Sequence, residues 1–199
     1  MKNQIREPQQ ERSIEKKNKI IHAGYELFSE VGYHGTNTVE IAKRAGVSTG
    51  IVYGYFQDKR DIMISVLQIY VDEVYTPVLD IMKSMGAPLD IESAVPKIID
   101  MTLKMHKKNA KLHNTLHSLA TTDETVNATF IALEDNITEN ISKQLKENGL
   151  DLPNVKERVH LAMNIVQSFA HEYVFDNHPY IDYNAMRETV CCTIINLFR

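Results

Sequence analysis

The chain has 199 residues and a formal charge of −4 at neutral pH, enough length for one sizeable core or two small ones. Two cysteines and no tryptophan argue against a disulfide-stapled scaffold, and no apolar run reads as long enough to span a bilayer. The opening MKNQIREPQQER is polar and lacks the apolar stretch of a secretory signal, so residues 1–13 are expected to be a disordered arm and the protein to be cytoplasmic, with no membrane partner. Charge is divided unevenly: residues 1–60 carry 10 Lys/Arg against 7 Asp/Glu, and residues 61–199 carry 12 against 19. A basic end on an acidic body suits a protein that meets phosphate with one end only.

In chain order, Ile20, Ala23, Leu27, Phe28 and Val31 form one helical stripe, and Gly32 stops it. Residues 36–61, TNTVEIAKRAGVSTGIVYGYFQDKRD, then read as two short helices around a tight turn. Asn37 and Glu40 have capping-box spacing at the start of the first helix, whose packing positions are Val39, Ile41, Ala42 and Ala45. Gly46 ends it, because the residue after a helix commonly needs positive φ. Val47 plugs the turn into the core, and Ser48 caps a second helix over Thr49–Phe56. On that helix Val52 and Phe56 share the inward face, while Thr49, Gly50 and Tyr53 face outward. A short helix with small or hydroxylated outward residues can approach base edges in a DNA groove. Gly54 in the helix interior costs about 1 kcal/mol against alanine, which suggests either close approach to something or a frayed last turn.

With Thr36, Ile41-Ala42, Ala45-Gly46-Val47-Ser48, Gly50, Tyr53, Tyr55-Phe56 and Lys59, this stretch resembles the tetracycline-repressor (TetR) family of bacterial regulators. The resemblance covers about a quarter of the chain and implies DNA binding. It implies that Thr36, Ser48, Tyr53, Tyr55 and Lys59, with Thr38 beside them, touch phosphate, and that Thr49 and Gly50 lie near base edges. Ile51 and Gly54 depart from the family pattern, at positions where a hydroxyl and a bulky side chain are frequent.

Beyond residue 60 helical periodicity continues, with no β-alternation and no internal repeat. Asp58 can cap a helix carrying Ile62, Val66, Leu67, Tyr70 and Val74, which Pro77 should end or kink. Another starts near Glu92, with a break near Asn109 before Leu112, Leu116 and Leu119. Thr121 and Glu124 have capping-box spacing ahead of Val126, Phe130, Leu133, Ile137, Ile141 and Leu145, and Gly149 follows. Val155, Val159, Ala162, Val166, Phe169, Ala170, Tyr173 and Val174 make the next stripe; Asp182 caps the last helix. The adjacent Cys191 and Cys192 read as buried small hydrophobes, since a bridge between neighbours is strained.

The expected fold is therefore all-α, with about nine helices: a three-helix helix-turn-helix domain over 14–60 and a helical effector-binding and dimerisation domain over 61–199. Apolar residues on more than one side of the last two helices suggest a second contact, and in the resembled family these helices pair in a dimeric four-helix bundle. Val166, Phe169, Tyr173, Met186, Val190, Ile194 and Leu197 are the candidate interface. Burial within one subunit is the alternative explanation. The resemblance further implies a homodimeric repressor on a palindromic double-stranded DNA operator, released by a small apolar or amphipathic effector. Candidate pocket residues are Met101, Met105, His106, Leu116, His117, Phe130, Met163, Phe169 and Tyr173, since methionine and aromatic walls adapt to ligands and histidine supplies a polar handle. No catalytic motif, cofactor or metal site is expected. Two alternatives are kept: an enzyme or ligand carrier whose helix hairpin is structural, and a metal-responsive regulator built on His106, His113 and His117.

Overall fold

The computed structural model describes residues 11–199. Among them there are nine α-helices and no strand: α1 (Glu11–Val31), α2 (Thr38–Ala45), α3 (Thr49–Tyr55), α4 (Lys59–Ser84), α5 (Ile91–Lys108), α6 (Ala110–Ala120), α7 (Glu124–Glu147), α8 (Val155–Phe175) and α9 (Tyr183–Leu197). The expected arm lies largely outside the described residues, but residues 11–13 already belong to α1.

Packing divides the chain into two compact units. The first holds the chain up to Tyr70 together with Asn109–Phe130, and the second holds Val71–Lys108 with Ile131–Arg199. This division departs from the boundary expected after residue 60. The beginning of α4 and all of α6 group with α1–α3, because their apolar faces and polar ties belong to the same core.

In the first unit, α1 buries Ile20, Ala23, Leu27 and Phe28 on one stripe. Val31, expected on that stripe, is 55% exposed, because the helix ends there and leaves it past the core. Gly24 also faces inward: a Cβ there would lie 2.7 Å from Ile62 Cγ2 and 3.5 Å from Val66 Cγ2 of α4. The two helices approach closely only because this side chain is missing. The α6 segment returns to α1, where the Tyr25 hydroxyl donates to Asn109 Oδ1 at 2.9 Å and the Lys111 ammonium donates to the Glu30 carbonyl at 2.7 Å.

Asp58 caps α4, its Oδ1 accepting from the Asp61 N–H at 3.0 Å. Arg60 then grips both carboxylate oxygens of Asp123, the Oδ1 contact measuring 2.6 Å. Asp123 is itself the cap of α7, accepting from the Thr125 and Val126 N–H groups at 3.0 and 3.1 Å. The capping box expected from Thr121 and Glu124 does not form; the Thr121 hydroxyl instead donates to the Ser118 carbonyl at 2.7 Å. A carboxylate next to the helix start outcompetes a hydroxyl two residues earlier, and its charge suits the helix dipole.

Pro77 does not end α4, which continues to Ser84. The missing N–H removes one helical bond, and buried Val74, Val78 and Met82 hold the helix on both sides of it. Against expectation, α4 is long and apolar enough, by length and composition, to cross a membrane. Its Ile62, Met63, Val66 and Leu67 are fully buried within the protein, as in a core helix.

The second unit is built on α5, α8 and α9. Val95, Ile99 and Leu103 pack with Ala162, Phe169 and Ala170, and with Val190, Cys191 and Ile194. The Arg187 Nε donates to Asp100 Oδ1 at 2.7 Å at the edge of this core. Asp182 caps α9 as expected, and Gly149 takes a positive φ of 89° after α7. Cys191 is buried but Cys192 is exposed, contrary to expectation. Successive residues on a helix point about 100° apart, so the two thiols do not share a face.

Two stability measurements follow from this packing. Alanine at position 24 should gain about 1 kcal/mol of helix propensity and lose about 1–3 kcal/mol to overpacking against Ile62. Gly24→Ala is therefore expected to lower the midpoint of chemical unfolding. The Arg60 side chain and the α7 backbone N–H groups hold the Asp123 carboxyl below the usual carboxylate range. Its stabilisation is present above the unfolded-state value of about 3.9 and is lost as pH falls through the lower folded value. Asp123→Asn keeps a cap but not the charge, so the stability gap between wild type and variant should shrink from about pH 6 to about pH 3.

Candidate functional site

The capping box at the start of α2 forms as expected. Asn37 Oδ1 accepts from the Val39 and Glu40 N–H groups at 3.1 and 3.0 Å, and Glu40 Oε2 accepts from the Asn37 N–H at 3.3 Å. Ile41 and Ala42 are buried, whereas Val39 is 61% exposed and contributes nothing to the core. Gly46 adopts φ 68°, which lets the Val47 N–H reach the Ala42 carbonyl at 3.0 Å and turns the chain toward α3.

Val52 and Phe56 are buried and anchor α3, with Phe56 lying one residue beyond its end. Ser48 precedes the helix, but its side chain makes no capping bond and stays exposed. Gly50, Tyr53 and Gly54 are exposed, with Thr49 half-buried beside them. A Cβ at Gly54 would meet nothing within 4 Å, so that glycine is not required by packing inside the chain. The Tyr53 hydroxyl lies 2.9 Å from the Thr38 hydroxyl, and the Tyr55 hydroxyl lies 2.8 Å from Ser13 Oγ of α1. Six of the eight expected DNA-contact residues (Thr38, Ser48, Thr49, Gly50, Tyr53 and Tyr55) thus keep at least part of their surface open on α2, α3 and the turn between them. The α3 sequence, TGIVYGY, contains no charged and no amide side chain.

Of the other two expected contacts, Thr36 is buried and Lys59, half-buried, turns its ammonium onto backbone carbonyls. The Thr36 hydroxyl donates to the Gly32 carbonyl at 2.9 Å. The Lys59 ammonium donates to the Tyr33 and Thr36 carbonyls at 2.5 and 2.7 Å and lies 4.1 Å from the centre of the Tyr33 ring. Burial pushes its pKa below the usual lysine value. Lys59 therefore ties together the turn before α2, reaching the Thr36 carbonyl and adding a second donor to the Tyr33 carbonyl, which already accepts from the Thr36 N–H at 3.3 Å. Nor is Arg44 an open cation, since it binds Glu30 at 2.8 Å and Glu26 at 3.0 Å.

The second unit contains a separate, partly open cavity of about 100 Å³, lined by α4, α5, α7, α8 and α9 residues including Val78, Ile99, Leu145, Val159 and Ile194, and by Leu89 ahead of α5. Its hydrogen-bonding side chains are Tyr75, Thr102 and Gln167. The Thr102 hydroxyl donates to the Ile98 carbonyl at 2.9 Å. Behind the lining, His106 is fully buried, with Nδ1 2.9 Å from the Thr102 carbonyl and Nε2 2.9 Å from Gln167 Oε1. Burial pushes the His106 pKa down and the Tyr75 pKa up to about 12.

Of the pocket residues expected from sequence, only Met163 lines this cavity. His106 reaches it through Gln167. Phe169 is buried in the core of α5, α8 and α9, and Tyr173 packs on that core with its ring against Tyr183 and the Lys107 ammonium. Met101 and Met105 lie on α5 outside the lining, while Leu116, His117 and Phe130 belong to the first unit. The cavity wall is mainly branched aliphatic, a composition that resembles any core and gives no separate sequence signal. The candidate interface residues fare similarly: Phe169, Val190 and Ile194 are buried, and Val166, Tyr173, Met186 and Leu197 pack against the same cluster. Within this chain they pack into one cluster, with Val166, Tyr173, Met186 and Leu197 keeping part of their surface open.

The three histidines do not converge. His113 Nδ1 lies 2.6 Å from the Tyr70 hydroxyl, the His113 and His117 rings are 4.3 Å apart, and His106 is in the other unit. Among the described residues no group of three His, Cys, Asp or Glu could hold a metal ion.

The profile of the family described as bacterial regulatory proteins, tetR family, matches residues 20–66, the segment from mid-α1 into α4. Over 58 residues the chain is 47% identical to the HTH-type transcriptional regulator HbdR of Aromatoleum sp. (strain CIB), covering 29% of this chain and 25% of that protein. It is 47% identical over 49 residues to the fatty acid metabolism regulator protein of Bacillus subtilis (strain 168), covering 25% of each. The chain thus spans about a quarter of the length of the curated relatives it matches. A transcriptional regulator from Rhodococcus sp. Rha1 shares the fold, with a TM-score of 0.68, 20% identity, and coverage of 92% of this chain and 95% of that one. Residues 20–66 thus carry the motif of the tetR family of bacterial regulatory proteins, and the helical fold around them is shared with that solved regulator.

Proposed function

We propose that the protein is a homodimeric DNA-binding transcriptional regulator, a cytoplasmic repressor that leaves a palindromic operator when a small apolar or amphipathic molecule binds. The observation that carries this reading is the outward side of α3, where Gly50, Tyr53 and Gly54 are exposed next to Thr38 and Ser48 while Val52 and Phe56 anchor the helix from behind. Bare backbone at Gly50 and Gly54 suits close approach to base edges, and the hydroxyls of Thr38, Ser48, Tyr53 and Tyr55 suit phosphate oxygens.

One helix of this length makes few base contacts, so two copies about one DNA turn apart support specific binding. Of the candidate pairing residues, Phe169, Val190 and Ile194 are buried within the chain, while Val166, Tyr173, Met186 and Leu197 are half-buried. A pairing surface would combine these half-buried residues with the open sides of α8 and α9, where Leu161 is 48% exposed and Cys192, Thr193 and Asn196 are exposed. The second-unit cavity supplies a place for an effector. Release requires that the effector bind the DNA-free conformation more tightly than the bound one.

The reading is tested by footprinting the purified protein on DNA flanking its own gene across a range of salt concentrations. A protected palindrome is expected, with affinity falling as salt rises; a folded dimer that protects nothing at low salt, on this DNA or on a random-sequence pool, would refute it. Two variants separate fold from recognition. Lys59→Met should cost about 1–3 kcal/mol of stability and leave the salt slope of DNA binding unchanged. Gly54→Ala should stabilise the fold by about 0.5–1 kcal/mol and weaken DNA binding.

A further inference from the structure

The chemistry of the second-unit cavity narrows what can occupy it; this inference rests on reading the cavity as an effector site. No Asp, Glu, Lys, Arg or His side chain lines it. A carboxylate or ammonium that leaves solvent to lie against such a wall without a partner is strongly disfavoured. Among the described residues only Tyr75 and Phe198 bring rings to the lining, too few for the cage that holds a cation. The rest of the wall is almost wholly aliphatic, which suits an alkyl or alicyclic body.

The polar features gather around one chain of groups. Tyr75 is hydrogen-bonded to Gln167, Gln167 to His106, and His106 to the Thr102 carbonyl. His106 Nδ1 faces a carbonyl and must donate. In the neutral ring Nε2 must then accept, which turns the Gln167 amide nitrogen toward His106 and its oxygen toward the Tyr75 hydroxyl. Every member of the chain is then uncharged and satisfied. Burial first, and the Glu134 carboxylate to a smaller extent, raise the pKa of the Tyr75 phenol.

We infer that the cavity takes a ligand that is uncharged where it is enclosed: an apolar body with one neutral hydrogen-bonding group, a hydroxyl in the first instance, placed at Tyr75 and Gln167. A free carboxylic acid or an alkylamine of the same length is a poor occupant at neutral pH. A chain carrying a charged group is accommodated only if that group stays in solvent and a neutral link lies inside.

The test compares 1-octanol, octanoate and octylammonium by calorimetric titration of the full-length protein at neutral pH. The inference expects 1-octanol to bind about ten-fold or more tightly than either ion. Ala162→Leu, which fills part of the wall, should weaken octanol binding, and Val78→Phe serves if that variant folds poorly. Gln167→Leu should reduce the preference for octanol over octane. Equal or tighter binding of either ion, abolished by the same wall substitution, would overturn the neutral-ligand inference and leave the effector site standing. Failure of all three probes to bind a protein that still protects its operator would overturn the effector-site reading and the inference together.

Discussion

The first unit depends on the opening turn of α4. Asp58 caps that turn, Lys59 holds the carbonyls of Tyr33 and Thr36, Arg60 clasps the cap of α7, and Ile62 fills the space left by Gly24. Each successive helical residue points about 100° from the last, so a short run of neighbours can grip several elements at once. The orientation of α2 and α3 is set by these grips and by Val52 and Phe56 beneath them, rather than by α3 itself. A helix of seven residues is too short to persist alone.

Much of this was legible in the sequence where a residue acts on its immediate neighbours. Asn37 with Glu40, Gly46, Asp58 and Asp182 take the places their spacing implies, because caps and turns are local chemistry. Periodicity found every long helix as well. The readings that failed required knowledge of what lies across space. Lys59 matches a phosphate-contact position, yet its amine is drawn to carbonyls 26 and 23 residues earlier in the chain. Pro77 carries a local signal for a helix end or a kink, and the helix does not end there, because packing on both sides of it holds α4 together to Ser84.

The ligand and pairing residues show a different limit. Methionine, histidine and aromatic side chains draw attention in a sequence because they are versatile, but in this chain several of them are structural. Phe169 is core and His106 is a buried link between a backbone carbonyl and a glutamine. The cavity is walled by Val, Leu and Ile, the same residues that fill the solid core beside it. Composition cannot separate a filled interior from a hollow one; that difference arises from how α5 sits against α8 and the neighbouring helices. Likewise, part of the apolar breadth of α8 and α9 reflects packing against α5 and against each other.

The composition of α3 has its own consequence for the reading of DNA. Bidentate recognition of guanine needs arginine or lysine, and that of adenine needs asparagine or glutamine; TGIVYGY offers none of these. If α3 is the helix that enters the groove, it would sense directly the thymine methyl, through Ile51 or the Thr49 methyl, and single acceptors, through hydroxyls. Discrimination among operators would fall heavily on groove width and the ease of bending the duplex. Replacing thymine by uracil would then remove more of the direct signal than deleting the hydrogen-bonding edge of any purine.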